Sequence, residues 1–457
     1  MPDLSAIVKA YDIRGVVGEQ LDSGVVRDIG AAFADLVSAP VGPEAVVVGY
    51  DMRDSSPGLA DAFAEGVNSR GIDVVSIGLA STDMLYFASG RLGLPGAMFT
   101  ASHNPARYNG IKLCRAEAAP VGQDSGLEEI RSAVERGIEP GPGGGGRTER
   151  DMLTDYAEYL HSLVDLSGIR PLRVVVDAGN GMGGHTVPAV FGGLPLTVVP
   201  LYFELDGTFP NHEANPLDPA NLVDLQAAVR AEGADLGLAF DGDADRCFVI
   251  DERGEPVSPS AITALVASCE LAKEPGAAVI YNLITSQAVP EIVAERGGRP
   301  VRSRVGHSFI KQTMAQTGAI FGGEHSAHYY FRDFWRADSG MLAALHVLAA
   351  LGRQQHPLSG LMAEFSRYAA SGEINSTVED QRGRMDAVRE HFAQRDGAEL
   401  DELDGLTVRL PSGAWFNLRP SNTEPLLRLN IEAHDIRAVE ALRDEVLALV
   451  RGLGSSP

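Results

Sequence analysis

Leu236-Gly237-Leu238-Ala239-Phe240-Asp241-Gly242-Asp243-Ala244-Asp245-Arg246 is a short apolar run that breaks into three alternating aspartates. Its first half has the length and composition of a strand buried on both faces of a parallel sheet. Cys247-Phe248-Val249-Ile250 reads as another strand directly after it. Upstream, Arg173 to Val176 and Leu196 to Val199 are runs of the same kind, and Asn221 to Ala231 is a helical stretch between strands. Strands alternating with helices are the mark of βαβ units. Ligands of open α/β sheets gather beyond the carboxyl ends of the strands. The aspartates fall at that place.

The layout recurs on both sides of this segment. An earlier trio of strand-like runs is Ala45 to Gly49, Val74 to Ile77 and Ala97 to Thr100, with a helical stretch at Ser56 to Ser69. A later trio is Ala278 to Tyr281, Arg299 to Arg302 and Ala319 to Phe321, with Ser286 to Arg296 helical and a long helix around Ser339 to Leu351. The third strand of the first trio runs into Ser102-His103-Asn104-Pro105, and that of the last into Gly323-Glu324-His325-Ser326-Ala327-His328. This predicts an internal repeat of α/β units that present three equivalent loops to one cleft. From about Ser371 the pattern changes. Leu406 to Leu410, Ala414 to Leu418 and Leu427 to Glu432 read as antiparallel strands, and Arg437 to Arg451 as an amphipathic helix. Gly137 to Arg147 reads as a linker, and Asp251 to Pro256 as a turn near a second boundary. The expected units are 1–148, 149–253, 254–369 and 370–457, three α/β and the last α+β.

Each loop has its own chemistry. Asp241, Asp243 and Asp245 would repel one another unless a cation or protons intervene, and oxygen-only ligands favour Mg²⁺ or Ca²⁺ over zinc. An EF-hand would also place Asp at its first, third and fifth positions and Glu252 at its twelfth. It is excluded because Arg246 stands where the sharp turn needs glycine, and because a strand follows instead of a helix. Ser102 lies where a strand gives way to a turn, and Asn104-Pro105 turns the chain away from helix. Adjacent side chains on extended backbone point apart, which would separate His103 from Ser102. Glu324, Ser326 and His328 alternate, so an extended loop would put all three on one side, where they suit vicinal hydroxyls. Arg419-Pro420-Ser421-Asn422-Thr423 combines a guanidinium, hydroxyls, an amide and turn N–H groups, a set that suits a phosphate. Tyr11-Asp12-Ile13-Arg14 and Asn109-Gly110-Ile111-Lys112 add local cations.

At 457 residues the chain is long enough for about three or four domains, and 44% hydrophobic content supplies their cores. The 38 Lys and Arg against 62 Asp and Glu, a net charge of -24, argue against nucleic acid or an anionic membrane as partner. Any phosphate must therefore be met by positive charge gathered locally. Cys114, Cys247 and Cys269 are too few and too far apart for a disulfide framework or a zinc site. Met1 to Ser5 has neither a basic nor an apolar leader region, and no apolar run reaches membrane-spanning length. The expectation is a cytoplasmic protein.

Taken together, the four loops resemble those of the α-D-phosphohexomutase superfamily, in the same order and over nearly the whole chain. The resemblance implies three topologically related α/β domains and a smaller α+β domain around a central cleft. It implies that Ser102 is the phosphorylated serine, and that Asp241, Asp243 and Asp245 hold one Mg²⁺ together with a phosphoserine oxygen. Arg246 would help position the phosphoserine, and Tyr11, Arg14, His103 and Lys112 would line the site. Lys112 and His328 are the candidates for proton transfer. Glu324 and Ser326 would grip the sugar, with His307 a further substrate contact. Arg419, Ser421, Asn422 and Thr423 would bind the non-reacting phosphate. The expected reaction interconverts hexose 1-phosphates and hexose 6-phosphates through a hexose 1,6-bisphosphate, which also serves as activator, in a monomer or homodimer. Asn422 and His325-Ser326-Ala327-His328 look like the phosphomannomutase/phosphoglucomutase branch. Phosphoglucosamine mutase is the near alternative, a Mg²⁺-dependent sugar-phosphate phosphatase or a silent sugar-phosphate sensor the more distant ones. One departure is Ile284, where many members carry a basic residue. Arg302, Arg304, His307 and Lys311 are the nearby groups able to compensate.

Overall fold

The computed structural model describes residues 4–38, 42–421 and 426–452. Three sheets repeat one topology. In the first, Ala45–Tyr50 runs parallel to Asp73–Leu79 on one side and Gly96–Phe99 on the other, and Tyr108–Arg115 returns antiparallel beside Gly96–Phe99. In the second, Leu172–Asp177 is central between Leu196–Leu201 and Leu236–Phe240, and Cys247–Asp251 returns antiparallel. In the third, Ala278–Asn282 is central between Arg299–Ser303 and Phe321–Gly323, and Tyr329–Phe331 returns antiparallel. The three sequence loops are therefore the turns between a parallel strand and its antiparallel return. The repeat fixes their common position at the carboxyl edge of each sheet.

The return strands carry no strong signal, because Tyr108–Arg115 and Tyr329–Phe331 are short or mixed in polarity. Their pairing comes from the tight loop before them. The expected strand Ala319 to Phe321 lies instead at Phe321–Gly323. Two glycines are poor strand formers, but a Cβ on Gly323 would lie 2.4 Å from the Thr263 hydroxyl, so close packing requires the bare backbone. The glycine-rich stretch read as a linker lies against the first unit, with Gly143 N–H donating to the Ser69 carbonyl (2.9 Å). It continues into Arg147–Glu149, an edge strand parallel to Asp73–Leu79. Likewise Pro256–Val257 adds an edge strand to the second sheet.

The last unit is an antiparallel sheet of five strands in the order Ala369–Thr377, Leu426–Ala433, Trp415–Pro420, Leu406–Arg409, Glu399–Asp401, covered by helices Gln381–Ala393 and Ile436–Arg451. The strand Ala369–Thr377 has only one buried residue and a bulge between Ala370 and Glu373, which hid it in the sequence. One continuous apolar core runs from Val47 and Met98 through Val174 and Phe240 to Ile262 and Leu345, joining the three α/β units. The last unit has its own core, built from Val388, Phe392, Phe416, Leu429, Val446 and their neighbours. Among the described residues no helix is long and apolar enough to cross a membrane.

Candidate active site

The serine loop begins where Gly96–Phe99 ends. Ser102 has φ +49°, a left-handed conformation that few residues other than glycine adopt. Its N–H donates to Thr100 Oγ1 (2.9 Å), which stabilises the turn. The expectation that His103 points away assumed extended backbone. The left-handed turn instead brings His103 Nδ1 to 3.2 Å from Ser102 Oγ. Arg246 Nη2 also donates to that nitrogen, and burial followed by the nearby Arg246 and Arg14 charges holds His103 well below its usual pKa. His103 is therefore a neutral acceptor already engaged by arginine.

Arg53, which the sequence reading missed, organises this loop. Its buried guanidinium donates to the carbonyls of Ser102 (2.9 Å), Asn104 (2.7 Å), Pro105 (3.0 Å) and Tyr108 (3.0 Å), and to Asp51 Oδ2 (3.2 Å). A signal existed, since Asp51-Met52-Arg53 follows the first strand of its unit, another carboxyl end.

The aspartate loop meets the serine loop edge to edge. A Cβ on Gly242 would lie 2.4 Å from the Ser102 carbonyl oxygen, so only glycine permits the approach. Ser102 Oγ donates to Asp241 Oδ2 (2.8 Å), which also accepts from Arg246 Nε (2.9 Å) and Nη2 (2.8 Å). Lys112 Nζ bridges Asp243 Oδ2 (2.7 Å) and Asp245 Oδ2 (2.6 Å). Thr82, from the first unit, donates its N–H to the Asp243 carbonyl (3.0 Å) and its hydroxyl to the carboxylate. Burial raises Asp241 despite Arg246 beside it. The same burial opposes ionisation of Asp243, but the Lys112 ion pair prevails and holds it below the usual carboxylate range. Lys112 is itself held well above its usual value: burial alone would lower it, and Asp243 and Asp245 outweigh that.

Asp243 Oδ1 and Asp245 Oδ1 are buried without a hydrogen-bond partner, and ligand oxygens of Asp241, Asp243 and Asp245 lie within 4.8 Å of one another. Two uncompensated oxygens in an all-oxygen cluster fit a hard divalent cation such as Mg²⁺.

On the third loop, Ala327 is left-handed (φ +63°) and folds the segment back. His328 Nδ1 lies 3.0 Å from Ser326 Oγ and 3.8 Å from Glu324 Oε2, while Nε2 lies 3.9 Å from Asp245 Oδ1. Glu324 is buried and accepts from Tyr330 Oη (2.7 Å), Asn282 Nδ2 (3.2 Å) and the Gly306 N–H (3.2 Å). A cavity of about 200 Å³ is lined by Tyr11, Arg14, Ser102, His103, Lys112, Asp245, Arg246 and His328, together with Tyr86 and Asp338. Arg14 donates to Asn104 Oδ1 and pairs with Asp12. Three cations, Arg14, Lys112 and Arg246, thus line the cavity with Ser102 in a chain of net charge -24.

Arg419 stands apart from this cavity. It pairs with Glu373 (3.2 Å) beside a separate cavity of about 330 Å³ between the third and fourth units, lined among others by Ile284, His325 and Glu373. The Ser421 N–H donates to the Leu426 carbonyl (2.8 Å). Asn422, Thr423 and the His307 side chain lie outside the described residues. Of the groups able to compensate for Ile284, Arg302 is engaged by Asp401 and Lys311 by Asp338 (2.9 Å), whereas Arg304 stacks on Phe309.

Three α/β units of one topology, with a serine loop, an acidic loop and a polar loop meeting at one point, define the phosphohexomutase architecture. Residues 5–140, 154–254 and 258–368 match the α/β/α domains I, II and III of phosphoglucomutase/phosphomannomutase, and residues 373–449 match the C-terminal domain. The chain is 40% identical to an Escherichia coli phosphomannomutase, over 97% of this chain and 98% of that one. It is 41% identical to the phosphohexose mutases of Xanthomonas campestris, over 97% and 99%. Its structure superposes on that of a phosphoglucomutase/phosphomannomutase family protein from Burkholderia thailandensis with a TM-score of 0.89, at 34% identity over 99% and 98% of the two chains. The chain belongs to the phosphoglucomutase/phosphomannomutase family of the α-D-phosphohexomutase superfamily.

Proposed function

We propose that this phosphohexomutase interconverts the 1-phosphate and 6-phosphate of mannose, glucose or both, with phosphorylated Ser102 as the phosphoryl carrier. The observation that supports this most is the Ser102 hydroxyl on the Asp241 carboxylate, at the floor of a cavity ringed by Arg14, Lys112 and Arg246. A phosphoryl group on Ser102 Oγ would sit among those cations. Most of what a protein does for phosphoryl transfer is to position the groups and offset their charge. Asp241, Asp243 and Asp245 would hold Mg²⁺, whose charge would be set against the phosphoryl oxygens.

In the forward half, a substrate hydroxyl attacks the phosphorus of phosphoserine and the bond to Ser102 Oγ breaks. The hydroxyl proton passes to a base. His328 suits this role, because it faces the cavity and its Nδ1 is oriented by Ser326. Lys112, clamped as an ammonium between two carboxylates, suits charge neutralisation and donation of a proton to the leaving Ser102 oxygen. The resulting hexose 1,6-bisphosphate turns over, and its other phosphate rephosphorylates Ser102. The same bisphosphate primes unphosphorylated enzyme. Glu324, buried, holds the loop through Tyr330 and Asn282, and half-buried Ser326 is the more accessible of the two to a sugar hydroxyl.

The test is ³¹P NMR of the purified protein with Mg²⁺ and a trace of hexose 1,6-bisphosphate, given mannose 1-phosphate, glucose 1-phosphate and glucosamine 1-phosphate in parallel. Conversion of either of the first two to its 6-phosphate without free phosphate supports the proposal. Preference for the glucosamine ester moves the assignment to that mutase, and inorganic phosphate as main product moves it to a phosphatase. Ser102→Ala should lower turnover by at least about 10³-fold, and full steady-state activity in that variant defeats the phosphoserine assignment.

A further inference from the structure

A second cavity, of about 620 Å³, lies between the first and third units and shares Tyr11 and Pro120 with the catalytic cavity as a common wall. Its volume suits a metabolite-sized ligand. Arg304 and Arg336 both line it, and neither has an ion-pair partner among the described residues. Ser308 and Phe309, in the first turn of helix His307–Thr317, and Gln312 further along it border the same space. Ser125 and Gln123 face them from the first unit, Lys311 is held against Asp338, and Glu117 and Asp124 stand exposed at the rim.

The backbone around Arg336 is unusual. Trp335 (φ +53°) and Arg336 (φ +59°) are consecutive left-handed residues without being glycine or asparagine. The Trp335 indole is fixed by stacking on Tyr159 (5.1 Å between ring centres) and by lying where a Cβ on Gly90 would be, 2.2 Å from its ring. That anchoring holds the next residue in a conformation suited to glycine and presents its guanidinium to the cavity. Strained backbone of this kind concentrates at binding sites.

We propose that this cavity is a second anion site, separate from the catalytic one, that takes a phosphate ester or diphosphate with a hydroxyl-bearing body. Arg304 and Arg336 would clasp the phosphate, as planar guanidinium pairs do. Ser308, Gln312 and Gln123 would meet the hydroxyls. Occupancy would be felt at the catalytic cavity through Tyr11, the wall they share. The site does not depend on the mutase reading: Tyr11 is the one group of the catalytic machinery that lines it, His307 only begins its helix, and Arg304 and Lys311, considered above as substitutes for a basic residue at Ile284, line this cavity and neither the catalytic one nor the one beside Ile284.

Calorimetric titration of the full chain carrying Ser102→Ala, which cannot turn over, tests this. The probes are inorganic pyrophosphate, glucose 6-phosphate and a nucleoside diphosphate glucose. The expected result is two binding events per chain with at least one probe. The second should weaken at least about tenfold in Arg336→Gly and in Arg304→Ala, with the first unchanged. The responding probe tells a sugar phosphate from a nucleotide sugar. Arg336→Gly suits the left-handed backbone, so its thermal midpoint should not fall, and exposed Arg304 gives an independent variant. A single event with every probe, or a second event untouched by both variants, overturns the proposal. Loss of mutase turnover in the otherwise native enzyme with two events retained would instead count only against the proposed function.

Discussion

Arg53 illustrates how much the Ser102 loop depends on a residue that does not line its cavity. Its guanidinium satisfies four loop carbonyls and one carboxylate while almost fully buried. Arg53→Met should destabilise the fold by about 3–5 kcal/mol, because it leaves Asp51 charged and unpaired in the interior. Turnover should fall together with stability, and Arg53→Lys should rescue neither fully, since an ammonium cannot reproduce the planar fork. Chemical denaturation and kcat of the two variants check this. The acidic loop makes a second prediction. Asp243 Oδ1 and Asp245 Oδ1 are buried without a hydrogen-bond partner, so Mg²⁺ should raise the thermal midpoint, by an amount corresponding to about 2.7 kcal/mol at 100-fold excess over Kd. Asp243→Asn should abolish that rise, and chelation should remove activity that added Mg²⁺ restores.

At the scale of elements, two loops and one helix end hold the site together. Gly242 lets the acidic loop touch the serine loop, and Gly242→Ala would insert a Cβ 2.4 Å from the Ser102 carbonyl. The loops must separate, and a shift of about 1 Å at a reacting group can cost roughly 100-fold in rate. A kcat loss with nearly native thermal stability is expected, and an unchanged kcat would show that the loops tolerate separation. Helix Thr82–Leu92 is capped by Ser81 on the Met84 N–H, and its first turn carries Thr82 to the acidic loop. Its Asp83 accepts from Tyr156 Oη of the second unit (2.7 Å) and Ser339 Oγ of the third (2.7 Å). Burial pushes Asp83 from its ordinary 3.8 up to about 6, the three hydroxyls beside it only partly offsetting that. The folded state thus prefers the protonated carboxyl. The stability this group contributes is fully present below about pH 4 and drains away as pH rises to about 6, by roughly 3 kcal/mol. Relative to the wild type, Asp83→Asn should therefore lack that decline when denaturation midpoints are compared between pH 4 and 7.

For the whole molecule, the decisive feature is a core that joins the three α/β units, beside which the first unit keeps a further core of its own, and a separate core in the fourth. Besides a ring contact between Tyr368 and His434, polar links join the third unit to the fourth: Arg302 with Asp401, the Val305 N–H with Asp404, and the Gln287 N–H with Glu432. Such an interface suits a unit that moves relative to the rest. A chain ended at residue 368 should fold cooperatively and still bind Mg²⁺, yet lose sugar-phosphate conversion; aggregation of that fragment would show that the fourth unit is needed for folding. The repeat of three α/β units, and the loops that would carry serine, carboxylates and sugar contacts, were legible in the sequence. Apolar strand runs and loop composition are local properties, and their order along the chain already places the loops at strand ends. The return strand Cys247–Asp251 was legible too, but the return strands Tyr108–Arg115 and Tyr329–Phe331, the left-handed turns at Ser102 and Ala327, the carbonyl clamp of Arg53 and the Asp83 junction were not. The clamp and the junction depend on partners distant in sequence, up to 256 residues away for Asp83 and Ser339, while the turns and the strands that follow them are backbone conformations without a compositional mark. Local sequence determined which chemical groups this protein carries and at which ends of which strands. Only tertiary packing decided how closely they approach and which of their oxygens and nitrogens remain unengaged, because burial and hydrogen-bond saturation are properties of the assembled fold.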